Sequence, residues 1–599
     1  MRYAPVLPVA IPLIAAALLA ALSKAISQAA SLIIAIAATL GAMGACVLLA
    51  GASRSESIVY WFGGWRPHAG VALGISFVID PLGAGMAGFA GILTLAALAF
   101  SAKYFDTAEN HLHALILAFL AAMCGFTLTG DMFNLFVFFE LMSAAAFALC
   151  AHKTEDPGSL QGALNFAVTN TIGAYFILTG IALLYARIGA LNMAQIGQTL
   201  GREHPNKLVF VAFAFVVCGY LIKGALVPFH FWLADAHAVA PTPICVLFSG
   251  VMVELGLYAV FRVYWAVFDP VFHIHIAGLR ALFLSVGALT AVLAGVMCYS
   301  QRNIKRLLAY STISHMGLMT IGAGLFDPVA LSGAAIYVLG HGLVKAALFL
   351  CSGILLHRFG TVDELELHGV GKPLKWTAAV FVLGGIALAG TPFSGISAGD
   401  ASLHSAAEHL GYHWVRWISL FAGTMTSAAV LRVAGRVFWG WGPARERASG
   451  AAPKSDEKRE TQSGHKTIPS SMFLPAAVLL LAGLFLGMMP ALPQSTLKAA
   501  AQFTNSSAYD ARVLGGVSIA IPGPAMPETN VTFSLIAVGL AILIPAAQLF
   551  SRQARVLSKA IGPAMKWLHA LHSGHVGDYV AFLTFGVAVF ALACVFILQ

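Results

Sequence analysis

Six ionisable side chains stand in or at the edge of long apolar runs: Glu140, Lys223, Glu254, His341, Lys345 and Asp400. A charge at the centre of a bilayer costs roughly 2.5–3.5 kcal/mol on insertion scales, so a chain keeps such groups where they face protein or water, and there they usually serve ion movement. A carboxyl and an amine shut away from bulk water each favour the uncharged form, which lets a proton load and leave near neutral pH. The chemistry these residue types offer is proton relay.

Glu140 lies about nine residues from either end of DMFNLFVFFELMSAAAFALC, roughly 14 Å from each at 1.5 Å per residue. Lys223 sits in VFVAFAFVVCGYLIKGALVPFHFWLADAHAVAPTP, five residues before Pro228. That proline must interrupt the helical hydrogen bonds, and carbonyls freed at membrane depth are tolerated only where they line protein or a water-filled cavity. A lysine beside a broken helix is a relay candidate, and a nearby Glu140 charge would switch its proton occupancy. Glu254 is twelve residues into its own run. His341 and Lys345, four apart, face the same way on a helix and form a second relay pair.

Asp400 follows Pro392 in GTPFSGISAGDASLHSAAE, where the apolar run weakens. It is either an interfacial charge or the exit carboxylate. His230 and His237 are seven apart, with Trp232 and Asp235 between, and are expected on one helix face, as interface anchors or as proton uptake from the cytoplasmic side. His315, in YSTISHMG, is either a relay or a structural histidine. Lys223–Pro228 and Pro392–Asp400 echo each other as a charge near a proline-interrupted span, and paired broken helices in two halves point to a transport site.

Other chemistries lack their residues. No third ligand accompanies His230 and His237 for a metal. The eight cysteines stand singly in apolar runs without a CxxC pair, as buried small hydrophobes do, so neither a metal site nor a cofactor is expected. Gly369–Lys372 lacks the spacing and preceding strand of a phosphate loop. No nucleophile elbow is legible.

The elements that must position these residues are membrane helices. Of 599 residues, 59% are hydrophobic and 10% charged, against about 25% charged in soluble domains, and mean hydropathy is +0.84. About 20 apolar residues cross a bilayer. The runs are 5–23, 29–51, 80–101, 112–130, 131–151, 162–186, 208–227, 242–268, 277–299, 305–324, 330–356, 376–400, 412–440, 472–490, 531–550 and 577–598. This predicts an all-α polytopic membrane protein of about 14–16 transmembrane helices, with a tight turn at Gly130–Asp131. The net charge of +9 reflects basic loops rather than nucleic-acid binding. Lys24, Lys103, Lys153, Arg302/Lys305/Arg306, Arg358–Lys375, Arg432–Lys466 and Arg552–Lys566 all follow odd-numbered runs. The positive-inside bias then sets both termini outside, although Arg187, Arg202 and Lys207 oppose it. Residues 442–470 read as a hydrophilic linker, 491–530 as an outer loop, and 552–572 as an amphipathic connector on the membrane surface, kinked at Pro563.

At these residues the chain resembles the antiporter-like membrane subunits of respiratory complex I, multisubunit sodium/proton antiporters and group-four membrane-bound hydrogenases. The matching stretches are Gly130–Asn134 through Glu140, IKGALVPFHFWLADAHAVAPTP with Lys223, QRNIKRLLAYSTISHMG, HGLVKAALF with His341 and Lys345, and LHGVGKPLK, together covering about 60–440. The tail LHSGHVGDYVAFLTFGVAVF is similar to the end of the hydrogenase-type members. The resemblance implies two inverted five-helix repeats, each with a broken helix, at 108–268 and 276–441. They lie between N-terminal helices with an outside loop (1–107) and further C-terminal helices (471–599). It implies Glu140 and Lys223 as the input pair and Lys345, with His341, as the connecting lysine. Glu254 stands where the family usually has lysine, Asp400 where it has lysine or glutamate, and Asn303 where it commonly has aspartate. The expected function is a proton-translocating subunit of a multisubunit complex in the cell's inner (plasma) membrane, among lipid, other membrane subunits and soluble redox subunits that supply the driving force. The alternatives are a sodium/proton antiporter subunit or a non-conducting scaffold.

Overall fold

The computed structural model describes residues 3–105, 110–152, 157–202, 206–443, 468–519, 532–551, 568, 570 and 572–598. Most of the linker 442–470 and of the connector 552–572, with Lys153, lies outside the described residues. Each of the sixteen apolar runs contains a helix. Among the described residues, twelve helical stretches are long and apolar enough to cross a membrane. The difference has physical causes. Thr242–Ser300 forms one continuous stretch that holds two of the runs. The runs at 208–227 and 376–400 are broken, leaving Lys207–Lys223 and Lys375–Leu388 with 17 and 14 residues. Ile304–Gly324 carries hydroxyls, His315, Lys305 and Arg306. The chain is a multi-pass, all-α membrane protein.

In the first break, Lys223 ends one helix and Phe231–Val239 resumes after an irregular segment. Ala225 takes a positive φ of 52° there, and the Val227–Pro228 bond is cis. The freed backbone finds side-chain partners: Val227 N–H donates to Thr290 Oγ1 (3.1 Å), and Trp232 Nε1 donates to the Ile222 carbonyl (2.9 Å). In the second break, Lys375–Leu388 stops before Gly390 and Phe393, both at positive φ, and Gly395–His409 resumes with Ser394 as its N-cap. The expected echo between the two proline-interrupted spans is a structural one.

Small residues let these broken helices press against continuous ones, as membrane helices require. A Cβ on Gly219 would meet the Gly173 carbonyl at 2.5 Å, and one on Gly399 would meet Tyr337 N at 2.5 Å. A Cβ on Gly340 would meet Gly395 C at 2.5 Å. The Gly130–Asp131 turn is tight as expected. Asp131 caps Met132–Cys150 through Asn134 N–H (2.8 Å), while Gly130 N–H donates to the Ser76 carbonyl (2.9 Å).

The sequence reading passed over a two-stranded antiparallel hairpin, Ile58–Trp61 with Ser76–Ile79, and the helices Met193–Arg202, Ala491–Phe503 and Ser506–Gly515. The last two occupy what was expected to be plain loop. All eight cysteines are buried.

Candidate functional site

Glu140 lies mid-helix on Met132–Cys150 and is half-buried. One turn along, Ser143 Oγ accepts a hydrogen bond from Lys223 Nζ at 3.1 Å. Glu140 and Lys223 act on each other electrostatically. The Lys223 ammonium also lies 5.1 Å from the ring centre of Phe139 and 5.6 Å from that of Phe166, within cation–π range. The lysine is completely buried, in a sleeve of two rings and one hydroxyl, because it terminates its helix beside the break.

The next helix joins this group to the second. Val253–Val263 carries Glu254 directly after a π-helical turn, Phe248–Met252, a distortion frequent at functional sites. A Cβ on Gly256 would meet Gly224 N at 2.6 Å, so the Glu254 helix lies backbone to backbone against the break that follows Lys223. Glu254 Oε1 approaches His341 Nδ1 to 3.3 Å, both completely enclosed and without the alignment of a hydrogen bond.

His341, on Pro328–Phe359, lies 5.0 Å ring to ring from His315 on the antiparallel Ile304–Gly324. His315 Nδ1 is 2.6 Å from Tyr337 Oη, and its Nε2 is 3.0 Å from Thr426 Oγ1. One turn from His341, Lys345 donates to the Leu308 carbonyl and to Ser311 Oγ. Tyr337, His341 and Lys345 recur every four residues and so share one helix face. His237 stacks on Phe349 (4.7 Å, 17°), the next residue of that series, and it interacts electrostatically with Lys345.

Asp400 stands apart from this cluster. Its Oδ1 lies 3.5 Å from His404 Nε2 one turn along the same helix, and its inward link is an electrostatic one to Tyr337. His230 and His237 do not share surroundings as their spacing suggested. His230 begins its helix and lines a cavity of about 190 Å³ with Pro228, Tyr310 and His572, whereas His237 faces Phe248 and Phe349. Both belong to the same helical segment, His230 as its N-cap in helical geometry and His237 in its last turn, and different elements pack against the two ends.

A second polar cluster was not foreseen. Asp235 accepts from Tyr579 Oη (2.8 Å) and Asn165 Nδ2 (3.3 Å), and pairs with His572 Nε2 (3.0 Å) and Arg306 (3.4 Å). His572 Nδ1 meets Tyr310 Oη at 2.9 Å. This fastens Val576–Leu598 to the second half of the first broken helix. Only the lone aspartate between two histidines hinted at it. Asn303 caps Ile304–Gly324 through Arg306 N–H (3.0 Å), a role asparagine and aspartate fill equally well.

Comparison with known proteins bears on this arrangement. The family described as NADH:quinone oxidoreductase/Mrp antiporter, transmembrane, matches residues 129–427, which hold every relay candidate named above. NADH-quinone oxidoreductase subunit N of Desulforudis audaxviator is 33% identical over 399 residues, 65% of this chain and 77% of the relative. A Na(+)/H(+) antiporter protein of Alkalihalophilus pseudofirmus, the D component of its complex, is 32% identical over 63% of this chain and 75% of its own length. Two solved structures, an archaeal membrane-bound sulfane sulfur reductase and the Mrp complex of Dietzia sp., each contain a chain 26% identical. In both cases the match covers 86% of this chain and all of the other, with a TM-score of 0.75. The two broken helices, the buried Lys223 with Glu140 acting on it, and these likenesses lead to one conclusion: the chain is an antiporter-like membrane subunit belonging to the NADH:quinone oxidoreductase/Mrp antiporter family.

Proposed function

We propose that this chain translocates protons as one subunit of a larger membrane complex. The observation that carries the reading is the series of ionisable groups from one helix break to the other: Lys223, Glu254, His341 and Lys345 are enclosed, with half-buried Glu140 beside the first and Asp400 beyond the last. Hydroxyls accompany them: Ser143 and Ser311 bond the two lysines, and Tyr337 and Thr426 bond His315. Glu140 and Lys223 are the input pair, and Lys345 with His341 is the connector. His315 relays towards Asp400, while His230 and His237 serve uptake. The repeats are 108–268 and 276–441, each contributing one broken helix. The chain lies in the plasma membrane with both termini outside, beside other membrane subunits and lipid, and soluble redox subunits supply the energy. A proton crossing 100 mV exchanges about 2.3 kcal/mol, within the range of coupled charge shifts in such a file.

A second reading, sodium/proton exchange, draws on the relatives named as Na(+)/H(+) antiporter components. Vesicles holding the complex separate the two. Lys223→Ala and Glu140→Ala are expected to abolish proton uptake while the complex still assembles. Normal uptake in both variants would sink the assignment, and uptake that requires sodium would favour the second reading.

A further inference from the structure

The proposed path reaches Asp400, whose carboxylate is 18% exposed. It still needs a route from there to water. Three ionisable residues continue along Gly395–His409 at four-residue intervals: Asp400, His404 and Glu408, hence one above the other on one face. Asp400 Oδ1 and His404 Nε2 lie 3.5 Å apart, and neither buried atom has a hydrogen-bond partner. His404 is 14% exposed and Glu408 49%, so accessibility rises only at the last member. Glu408 is held by Arg416 NH1 at 3.3 Å from the following helix, Val415–Ala434. On the inner side, Gly399 presses against the Tyr337 backbone, and Tyr337 bonds His315.

We propose that His404 is the proton-transfer residue between Asp400 and the aqueous surface, with Glu408 as the terminal acceptor; this rests on the transport reading above. The Asp400 carboxyl gives its proton to His404 Nε2 and becomes a carboxylate. The imidazolium releases a proton from Nδ1 to Glu408 or to water, and a ring rotation then turns the unprotonated nitrogen towards Asp400 for the next transfer. No other bond changes. An imidazole suits the position because its two nitrogens take up and release protons on opposite edges.

The test uses the full chain in its complex, reconstituted in vesicles. A potassium diffusion potential drives proton movement, which is followed with an acridine dye and expressed per assembled complex. His404→Gln is expected to lower the flux at least tenfold. His404→Glu, which restores a titratable group, is expected to recover much of it. Glu408→Gln changes it less than threefold, since water can replace an exposed acceptor. Where H404Q reduces assembly, H404N serves in its place. Wild-type flux in the glutamine or asparagine variant, with Lys223→Ala inactive, overturns the exit assignment alone. Wild-type flux in Lys223→Ala overturns the transport reading instead. A loss in H404Q without any recovery in H404E assigns His404 to packing and also overturns the proposal.

Discussion

Glu254 Oε1 and His341 Nδ1 face each other across 3.3 Å, fully enclosed, without the alignment of a hydrogen bond. The carboxylate also acts electrostatically on Lys345, so it opposes the imidazole and the amine of the neighbouring helix together. The family resemblance implies a lysine at this position. Here the sign is reversed, and the acid joins the first group to the second.

Glu254→Gln keeps the shape and removes the charge. Proton flux through the complex is expected to fall at least tenfold, which corresponds to about 1.4 kcal/mol in the barrier, with assembly unaltered. Dye-monitored uptake in vesicles, alongside the yield of complex, reads both. Flux equal to the native chain would mean that protons bypass Glu254.

The Asp235 cluster gives a stability prediction. Tyr579→Phe deletes one hydrogen bond to a buried carboxylate, a loss of about 1.5–3 kcal/mol. Asp235→Ala removes the shared acceptor of Tyr579, Asn165 and His572 and should cost more. Hydrogen exchange should rise along Val576–Leu598 in both variants, and more in the second. An unchanged exchange pattern would mean that this helix is held by its apolar face alone.

A pH effect is expected at Asp510, on the short helix Ser506–Gly515 outside the spanning segments. Burial pushes its carboxyl up to about 8, and its Oδ1 has no partner. An unfolded aspartate titrates near about 4, so the folded helix holds this proton more tightly. The stability tied to it is therefore fully present below about pH 4 and is lost as pH rises through about 8. Amide exchange in Ser506–Gly515, corrected for intrinsic rates, should quicken across that window in the native chain and not in Asp510→Asn. Equal profiles would show that the carboxyl is solvated.

The helices were legible because the apolar runs are long, and most of them end in a polar turn. The breaks were legible at Pro228 and Pro392, which cannot continue a helix. That His341 and Lys345 share a face followed from their four-residue spacing, whereas Glu140 and Lys223 as a pair were implied by the family resemblance. What escaped were partners far apart in sequence. Ser143 is 80 residues from Lys223, and Tyr579 is 344 from Asp235. A hydroxyl in an apolar run carries no mark of the helix it will meet. The Ile58–Ile79 hairpin and the three short helices escaped because they lie between spans, where no long apolar period announces them. The different neighbours of His230 and His237 escaped too, because periodicity gives a helix face and not what packs against each end of it.

The contact between Pro328–Phe359 and Gly395–His409 runs through Gly333, Gly340, Gly395 and Gly399, where a single added carbon would strike main-chain atoms at 2.5–2.8 Å. Two surfaces fitted that closely have no slack to slide, so the bearers of Lys345 and of Asp400 travel as one rigid body. Any valve along this half must then be made by side chains, by the swing of a tyrosine, serine or threonine O–H or the turn of an imidazole such as His404, and needs no tilt of a helix.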